Sequence, residues 1–212
     1  MAEGETSARL RAAQSALEAH ALELRRTRTR AAKPFAKAVR EELAPLAMPG
    51  ASFEVALAEV ELGPSGADSV DFLIAPNRGV PAGPLREIAS GGELSRVMLA
   101  IMSVAHAHAQ QGTLVFDEVD AGIGGQTARA VGERVRALAQ HRQVICITHL
   151  PQIASLAARH FTIVKDAGAD TARTVVRELE EREVLSEIVR MLGADSADTA
   201  ARSHARELLR AA

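Results

Sequence analysis

Two short apolar runs, separated by a helical segment, constrain the fold of this chain more than any other feature. The first run, "TLVF", occupies residues 113–116, and the second, "QVICI", occupies residues 143–147. Between them, apolar residues recur at helical spacing from Ile123 to Leu138, after a glycine-rich loop. Apolar strands that alternate with helices are typical of a mostly parallel sheet covered by helices on both faces. We therefore predict an α/β fold in which ligands bind at the carboxyl ends of the strands.

Each apolar run is followed by polar side chains. Asp117 and Glu118 follow the first run, and Thr148 and His149 follow the second. A carboxylate at a strand end suits Mg²⁺, so one acid could hold the metal while the other polarises an attacking water. A neutral imidazole at the same edge could hydrogen-bond a phosphate oxygen or that water. The alternative is a pair of solvated loop acids beside a structural histidine.

The run "SGGE" at residues 90–93 precedes a further apolar segment. Ser90 and Glu93 have the spacing of a capping box, which predicts a helix from Ser90 to about Gln111. The box does not explain Gly91 and Gly92, because glycine disfavours a helix interior by about 0.5–1 kcal/mol relative to alanine. A first turn without side chains exposes N–H groups at the positive end of the helix dipole, where a phosphate can approach closely.

The N-terminal part predicts a helix over residues 5–33 with a short coiled-coil seam. Its leucines recur every seven positions at Leu10, Leu17 and Leu24, and we expect the sequence to begin inside a longer element. Pro34 is expected to interrupt this helix, with a second helix over residues 35–44. Steps of four, three and four residues place basic side chains on one stripe, which is either a solvated helix face or a contact for DNA phosphates. The stripe consists of Arg26, Arg30, Lys33 and Lys37.

The remaining segments predict a hairpin and a C-terminal mixture of strands and helices. Alternating residues over 52–62 and 69–74 flank the turn-rich "GPSGAD", and a change of parity in the first run suggests a bulge. A short helix should follow His149, and strands are expected at 161–166 and 173–179. Two helices, at about 181–192 and 198–211, should end the chain.

Composition excludes several classes of protein. Because the net charge is -2, any surface that binds nucleic acid would have to be a local basic patch. With no Trp, no Tyr and five Phe, the chain is a poor candidate for reading single strands by base stacking. Its one cysteine, Cys146, excludes an intrachain disulfide and fits a reducing cytoplasm. No apolar run approaches the roughly 18–20 residues of a membrane span, and we expect no membrane partner.

Taken in chain order, these motifs resemble the C-terminal half of an ATP-binding-cassette ATPase head of the SMC-like branch. "SGGELSR" resembles the signature motif, "TLVFDE" resembles Walker B with its following glutamate, and "ITH" resembles the switch-histidine motif. The longer runs "LAMPGASFEV", "FLIAPNRG", "PLREIASGGELSRVMLAI", "VFDEVDAGIGG" and "ITHLPQIAS" resemble the DNA repair members of that branch. The resemblance extends from about Leu24 to Leu209.

The resemblance implies a P-loop ATPase head with an N-terminal coiled-coil remnant and a β-hairpin. Residues 1–45 would be the end of the coiled-coil arm and a connecting helix, and residues 46–212 would be the C-terminal lobe of the head. In this family two heads enclose ATP between them. Asp117 would then hold Mg²⁺, Glu118 would activate water and His149 would sense the γ-phosphate. Ser90, Gly91, Gly92 and Glu93 would face the nucleotide of the partner head.

The expected partners are therefore the N-terminal half of the same head, a second head in a homodimer, and DNA. The implied role is double-strand-break repair by recombination in the cytoplasm, at the nucleoid.

No G-x-x-x-x-G-K-[ST] phosphate loop occurs in the sequence, and Gly124 stands where SMC proteins carry a D-loop aspartate. We therefore expect the chain alone to hydrolyse almost no ATP. Two alternatives remain, a non-enzymatic DNA-binding or dimerisation module and a chromosome-organising SMC head.

Overall fold

A computed structural model describes residues 2–87, 90–105, 112–166 and 173–211. These residues divide into two compact units. Of the described residues, the first unit comprises 2–44 and 48–87, and the second comprises 45–47, 90–105, 112–166 and 173–211. None of the described helices combines the length and the apolarity that a membrane span needs.

The first unit consists of one long helix and a small antiparallel sheet. Helix α1 runs over Ala2–Leu43, and the sheet has the order β1-β2-β3. Its strands are Ser52–Gly63, Gly66–Ala75 and Gly83–Pro84. The predicted hairpin is confirmed, and its register shifts between Glu59 and Gly63, as the change of parity indicated.

Aromatic packing and one buried carboxylate hold α1 against the hairpin. The rings of Phe35, Phe53 and Phe72 lie with their centroids 5.4–6.3 Å apart. Asp68 is buried in β2 and accepts hydrogen bonds from Arg25 Nε at 2.6 Å and from Arg28 at 3.4 Å. A buried carboxylate needs such partners to offset its loss of hydration. The hairpin is therefore fastened to the helix by apolar and charged contacts together.

The predicted helix break at Pro34 is wrong, because α1 continues through this residue to Leu43. A proline inside a helix lacks the N–H that would bond to the carbonyl four residues earlier. Pro34 lies on the exposed side of α1, where water can hydrate the carbonyl that it leaves unpaired. The buried residues Ala36 and Val39 fix the last turns of the helix.

The second unit contains a parallel pair of strands, as predicted. Strands β4 (Thr113–Phe116) and β5 (Gln143–Cys146) pair in parallel, with Phe116 opposite Cys146. Helix α2 (Gly91–Ala105) precedes the pair, and helix α3 (Gly125–Ala139) connects the two strands. The predicted continuation of α2 to Gln111 falls on residues outside those described.

Helices cover this strand pair on one face only within the described residues. Val131 and Leu138 of α3 and Phe116 of β4 are buried. The opposite face is open, with Val115 61 % exposed and Ile145 48 % exposed. The expectation of a sheet covered on both faces is therefore not met by the described residues, although the α/β arrangement is confirmed.

The C-terminal part of the second unit follows the sequence prediction closely. A short helix α4 (Pro151–Ala154) leads to the antiparallel strands β6 (Phe161–Asp166) and β7 (Arg173–Glu178). Helices α5 (Glu181–Met191) and α6 (Thr199–Arg210) then pack with α4 around a small apolar cluster. The buried members of that cluster are Ala154, Ile188, Val189 and Ala205.

Candidate functional site

The polar residues after β4 and β5 lie at neighbouring strand ends. Because Phe116 pairs with Cys146, the residues that follow each strand leave the same edge of the sheet. The backbone N–H of Ile147 extends the pairing with a 2.9 Å hydrogen bond to the Phe116 carbonyl. Asp117 and Glu118 therefore begin one loop at this edge, and Thr148 and His149 begin the next.

A carboxylate that the sequence analysis did not assign joins the two loops. Asp120 is only 2 % exposed, and its Oδ2 accepts the Thr148 hydroxyl at 2.5 Å and the backbone N–H of His149 at 2.9 Å. The same oxygen lies 3.1 Å from Nδ1 of His149. These contacts hold the loop that begins with Thr148 and His149, which we call the histidine loop, against residues 117–121, which we call the acidic turn.

Glu118 sits in the acidic turn with a strained backbone. Its φ is 56°, in the left-handed region that side chains other than glycine rarely adopt. The Ala121 N–H bonds to the Glu118 carbonyl at 3.0 Å and closes the turn. Such strain costs about 1–3 kcal/mol, and it clusters at functional sites where the surroundings enforce it.

Helix α2 binds both ends of the acidic turn through Ser95 and Arg96, the last two residues of "SGGELSR". Ser95 Oγ donates to the Asp117 carbonyl at 2.6 Å, and Arg96 donates to the Ala121 carbonyl at 2.9 Å. Arg96 is only 7 % exposed, and burial lowers the pKa of its guanidinium while the charge of Glu93 opposes that shift. A buried guanidinium is costly, so this contact fixes the turn at some expense in stability.

The close approach of the acidic turn to α2 requires glycine at position 92, whereas a Cβ at position 91 would meet only the movable end of an exposed side chain. A Cβ on Gly92 would lie 2.8 Å from Ala121 Cβ and 3.2 Å from the carbonyl oxygens of Ala121 and Glu118. A Cβ on Gly91 would collide with the Glu118 side chain. The bare first turn of α2 therefore serves the packing of this chain itself, in addition to any anion.

The predicted capping box is only half formed. The Glu93 N–H lies 3.5 Å from Ser90 Oγ, at the outer limit of a hydrogen bond, and the Leu94 N–H bonds to the Ser90 carbonyl at 3.0 Å. Within the described residues, the return bond from the Glu93 side chain is absent. The first N–H groups of α2, which a helix cannot satisfy internally, remain the part of this site suited to an anion.

Asp117 has the chemistry of a magnesium ligand. It is exposed at the end of β4, and its side chain carries the hard oxygen donors that Mg²⁺ prefers. The described residues hold no group of three or more His, Cys, Asp or Glu that could bind a metal alone. Mg²⁺ in nucleotide sites uses one or two carboxylates together with phosphate and water, so a single strand-end aspartate fits it.

Cys146 is the last residue of β5 and carries a free thiol. Burial, together with the negative charges of Asp120 and Asp117, raises the pKa of Cys146 from 9.0 to about 12. A thiol with so high a pKa is protonated and a poor nucleophile. The residue acts as a small apolar side chain in β5.

The basic stripe lies in the first unit, on an uninterrupted helix. Its members, Arg26, Arg30, Lys33 and Lys37, are all exposed on α1. Arg26 and Arg30 lie 4.0 and 3.8 Å from Glu23. Exposed pairs at such distances contribute little and are screened by salt, so the guanidinium groups remain available to another anion.

The comparisons with known proteins give a consistent picture. No family model matches the chain. It is similar to the DNA repair protein RecN of Treponema pallidum, with 48% identity over 154 residues that cover 73% of this chain and 27% of that protein. The RecN of Streptomyces coelicolor is 44% identical over 198 residues, which cover 87% of this chain and 35% of that protein. The chain thus spans about a third of these relatives.

Solved structures of Smc heads share the fold. The Smc head domain with a coiled coil and joint from Pyrococcus yayanosii superposes with a TM-score of 0.54 at 20% identity, over 74% of this chain and 28% of that one. The head of Pyrococcus furiosus Smc bound to the C-terminal domain of ScpA gives a TM-score of 0.50 at 22% identity, over 74% of this chain and 37% of that one. These matches confirm the predicted fold class.

Proposed function

In the part that it spans, this chain belongs to the RecN family of DNA repair proteins, and we propose that it forms the C-terminal portion of an ATP-hydrolysing head. In this proposal residues 1–45 end a coiled-coil arm and residues 46–212 form the lobe. The N-terminal half of the head supplies the phosphate loop, and a second head completes the site. ATP binding joins the heads, hydrolysis releases them, and the arm transmits the change to DNA during recombinational repair in the cytoplasm, at the nucleoid.

One observation carries the proposal. The acidic turn, the histidine loop and helix α2 are joined to one another by hydrogen bonds from Ser95, Arg96 and Thr148. Three segments that are distant in sequence thus present an acid pair, an imidazole and a bare helix start together. This combination suits the hydrolysis of a phosphoanhydride, in which catalysis consists mainly of positioning and charge stabilisation.

The proposed reaction assigns one task to each residue. Glu118 accepts a proton from a water whose oxygen forms a bond to the γ-phosphorus. The bond between that phosphorus and the β–γ bridging oxygen breaks, and the products are ADP and inorganic phosphate. His149 hydrogen-bonds the γ-phosphate or the water. Asp117 holds Mg²⁺, which when bound neutralises charge on the phosphates.

The start of α2 serves the nucleotide of the partner head in this proposal. The free N–H groups and the helix dipole favour a γ-phosphate at residues 90–93. The site is then composite, with residues from two heads around each ATP.

The proposal is tested by complementation. The 212-residue chain alone should show no ATP turnover above background, because its sequence lacks a phosphate loop. Adding the N-terminal half of a RecN head, produced separately, should restore turnover that depends on Mg²⁺. Substantial hydrolysis by the chain alone, or none by the combined halves although they form a complex, would contradict the proposal.

A further inference from the structure

The buried carboxylate of Asp120 contacts both the backbone and the ring of His149. Its Oδ2 lies 2.9 Å from the backbone nitrogen and 3.1 Å from Nδ1 of the ring. The ring itself is 70 % exposed, so packing does not hold it in place. The contact with Asp120 is therefore the feature that orients the imidazole.

The direction of the hydrogen bonds follows from Thr148. Its Oγ1 accepts the N–H of Leu150 at 3.0 Å, which leaves the hydroxyl proton for the 2.5 Å bond to Asp120 Oδ2. The oxygen that meets Nδ1 thus already accepts two donors, and a carboxylate has no proton to return. A hydrogen bond between Nδ1 and this oxygen therefore has Nδ1 as its donor, whether the ring is neutral or charged.

We propose that Asp120 is a positioning residue that fixes His149 as the Nδ1–H tautomer and leaves Nε2 as the nitrogen that meets a ligand. A free histidine side chain prefers the opposite tautomer, so the carboxylate reverses the preference. A neutral ring then presents a lone pair at Nε2, which can accept a hydrogen bond from water. That this water is the one that attacks the γ-phosphate rests on the function proposed above.

The acidic turn places Asp120 where it can do this. The turn is anchored at its two ends by Ser95 and Arg96, through the carbonyls of Asp117 and Ala121. Asp120 lies between these anchors. A displacement of helix α2, which carries Ser95 and Arg96, would therefore move the carboxylate that orients His149.

The test measures the tautomer directly in the 212-residue chain. Long-range ¹H–¹⁵N correlation spectra at alkaline pH, where imidazoles are neutral, distinguish Nδ1–H from Nε2–H rings. His160 is an internal reference, because its Nε2 lies 2.9 Å from the Ala154 carbonyl, which can only accept. We expect His149 as Nδ1–H and His160 as Nε2–H in one spectrum. A wild-type His149 in the Nε2–H form would overturn the proposal.

Two variants separate Asp120 from its neighbours. In Asp120→Ala the His149 ring should change to a mixture dominated by Nε2–H, with His160 unchanged as evidence that the fold persists. In Thr148→Val the ring should remain Nδ1–H, because the carboxylate is still present. An Asp120→Ala ring that keeps the Nδ1–H form would overturn the proposal, and the wild-type spectrum decides the tautomer even if this variant does not fold.

A second readout separates this inference from the proposed function. In heads completed with the N-terminal half, Asp120→Ala and His149→Gln should lower ATP turnover to a similar extent. If His149 is the Nδ1–H tautomer but His149→Gln leaves turnover unchanged, the positioning role stands and the function proposed for His149 fails. If the tautomer is wrong, the inference fails whatever the turnover.

Discussion

The substitution Gly92→Ala tests whether the packing of the acidic turn requires the glycine at position 92 of α2. On an unconstrained helix this change should stabilise by about 0.5–1 kcal/mol. Here the new methyl group would lie 2.8 Å from Ala121 Cβ and 3.2 Å from two carbonyl oxygens. Overpacking of this kind costs about 1–3 kcal/mol, so we expect a net loss of up to about 2.5 kcal/mol in the free energy of unfolding, with a central value of about 1 kcal/mol.

Gly91→Ala is the matched control, because it makes the same change one residue earlier. The atoms that its methyl group would meet belong to the end of the exposed Glu118 side chain, which can rotate away. Its expected effect is therefore near zero or stabilising. Urea denaturation followed by circular dichroism gives both free energies, and hydrogen exchange of peptides over residues 113–122 localises the loss. A Gly92→Ala protein as stable as Gly91→Ala would refute the packing argument.

Three further predictions concern the first unit and the buried thiol. Asp68→Ala should lower the unfolding midpoint more than Glu59→Ala, because Asp68 has a side chain 1% exposed whereas that of Glu59 is 78% exposed; equal midpoints in thermal denaturation would contradict this. Cys146, with its pKa raised from 9.0 to about 12, should react with iodoacetamide at pH 8 about a thousandfold more slowly than in urea-unfolded chain. Since the unfolded state releases this proton first, the free energy of unfolding should also fall as pH rises above 9.0. Replacing the four residues of the basic stripe by glutamine should weaken DNA binding and make the binding constant depend less steeply on salt concentration. These residues are Arg26, Arg30, Lys33 and Lys37. If the binding constant keeps the same dependence on salt, the stripe is not part of the DNA interface.

The strands and most helices of the second unit could be predicted because their patterns are local. The apolar runs before Asp117 and Thr148 bound β4 and β5 to within a residue. The helix break predicted at Pro34 was wrong because a helix can continue through a proline when water hydrates the carbonyl that the proline leaves unpaired. Whether water reaches that carbonyl depends on which face of α1 the hairpin covers. The open face around Val115 could not be predicted, because an apolar strand has the same sequence pattern whether helices cover one of its faces or both.

The site was predicted in its parts and not in its connections. Strand-end chemistry singled out Glu118 and His149, but nothing local distinguishes Asp120 from a solvated loop acid. Its role depends on a pairing between β4 and β5 that brings Thr148 to its side chain. The glycine pair was explained by an anion alone, because the approach of Ala121 is a tertiary contact that spacing does not reveal.

The most direct test of the central claim is the effect of Glu118→Gln on hydrolysis by heads completed with the N-terminal half. Removing a general base should lower turnover by about 10²–10⁴-fold while ATP binding and head association persist. Glu133→Gln is the control, since Glu133 is exposed on α3 and pairs only with Arg129 among the described residues. Turnover near the wild-type rate in Glu118→Gln would contradict the account, whereas ATP-bound heads that fail to separate would support it.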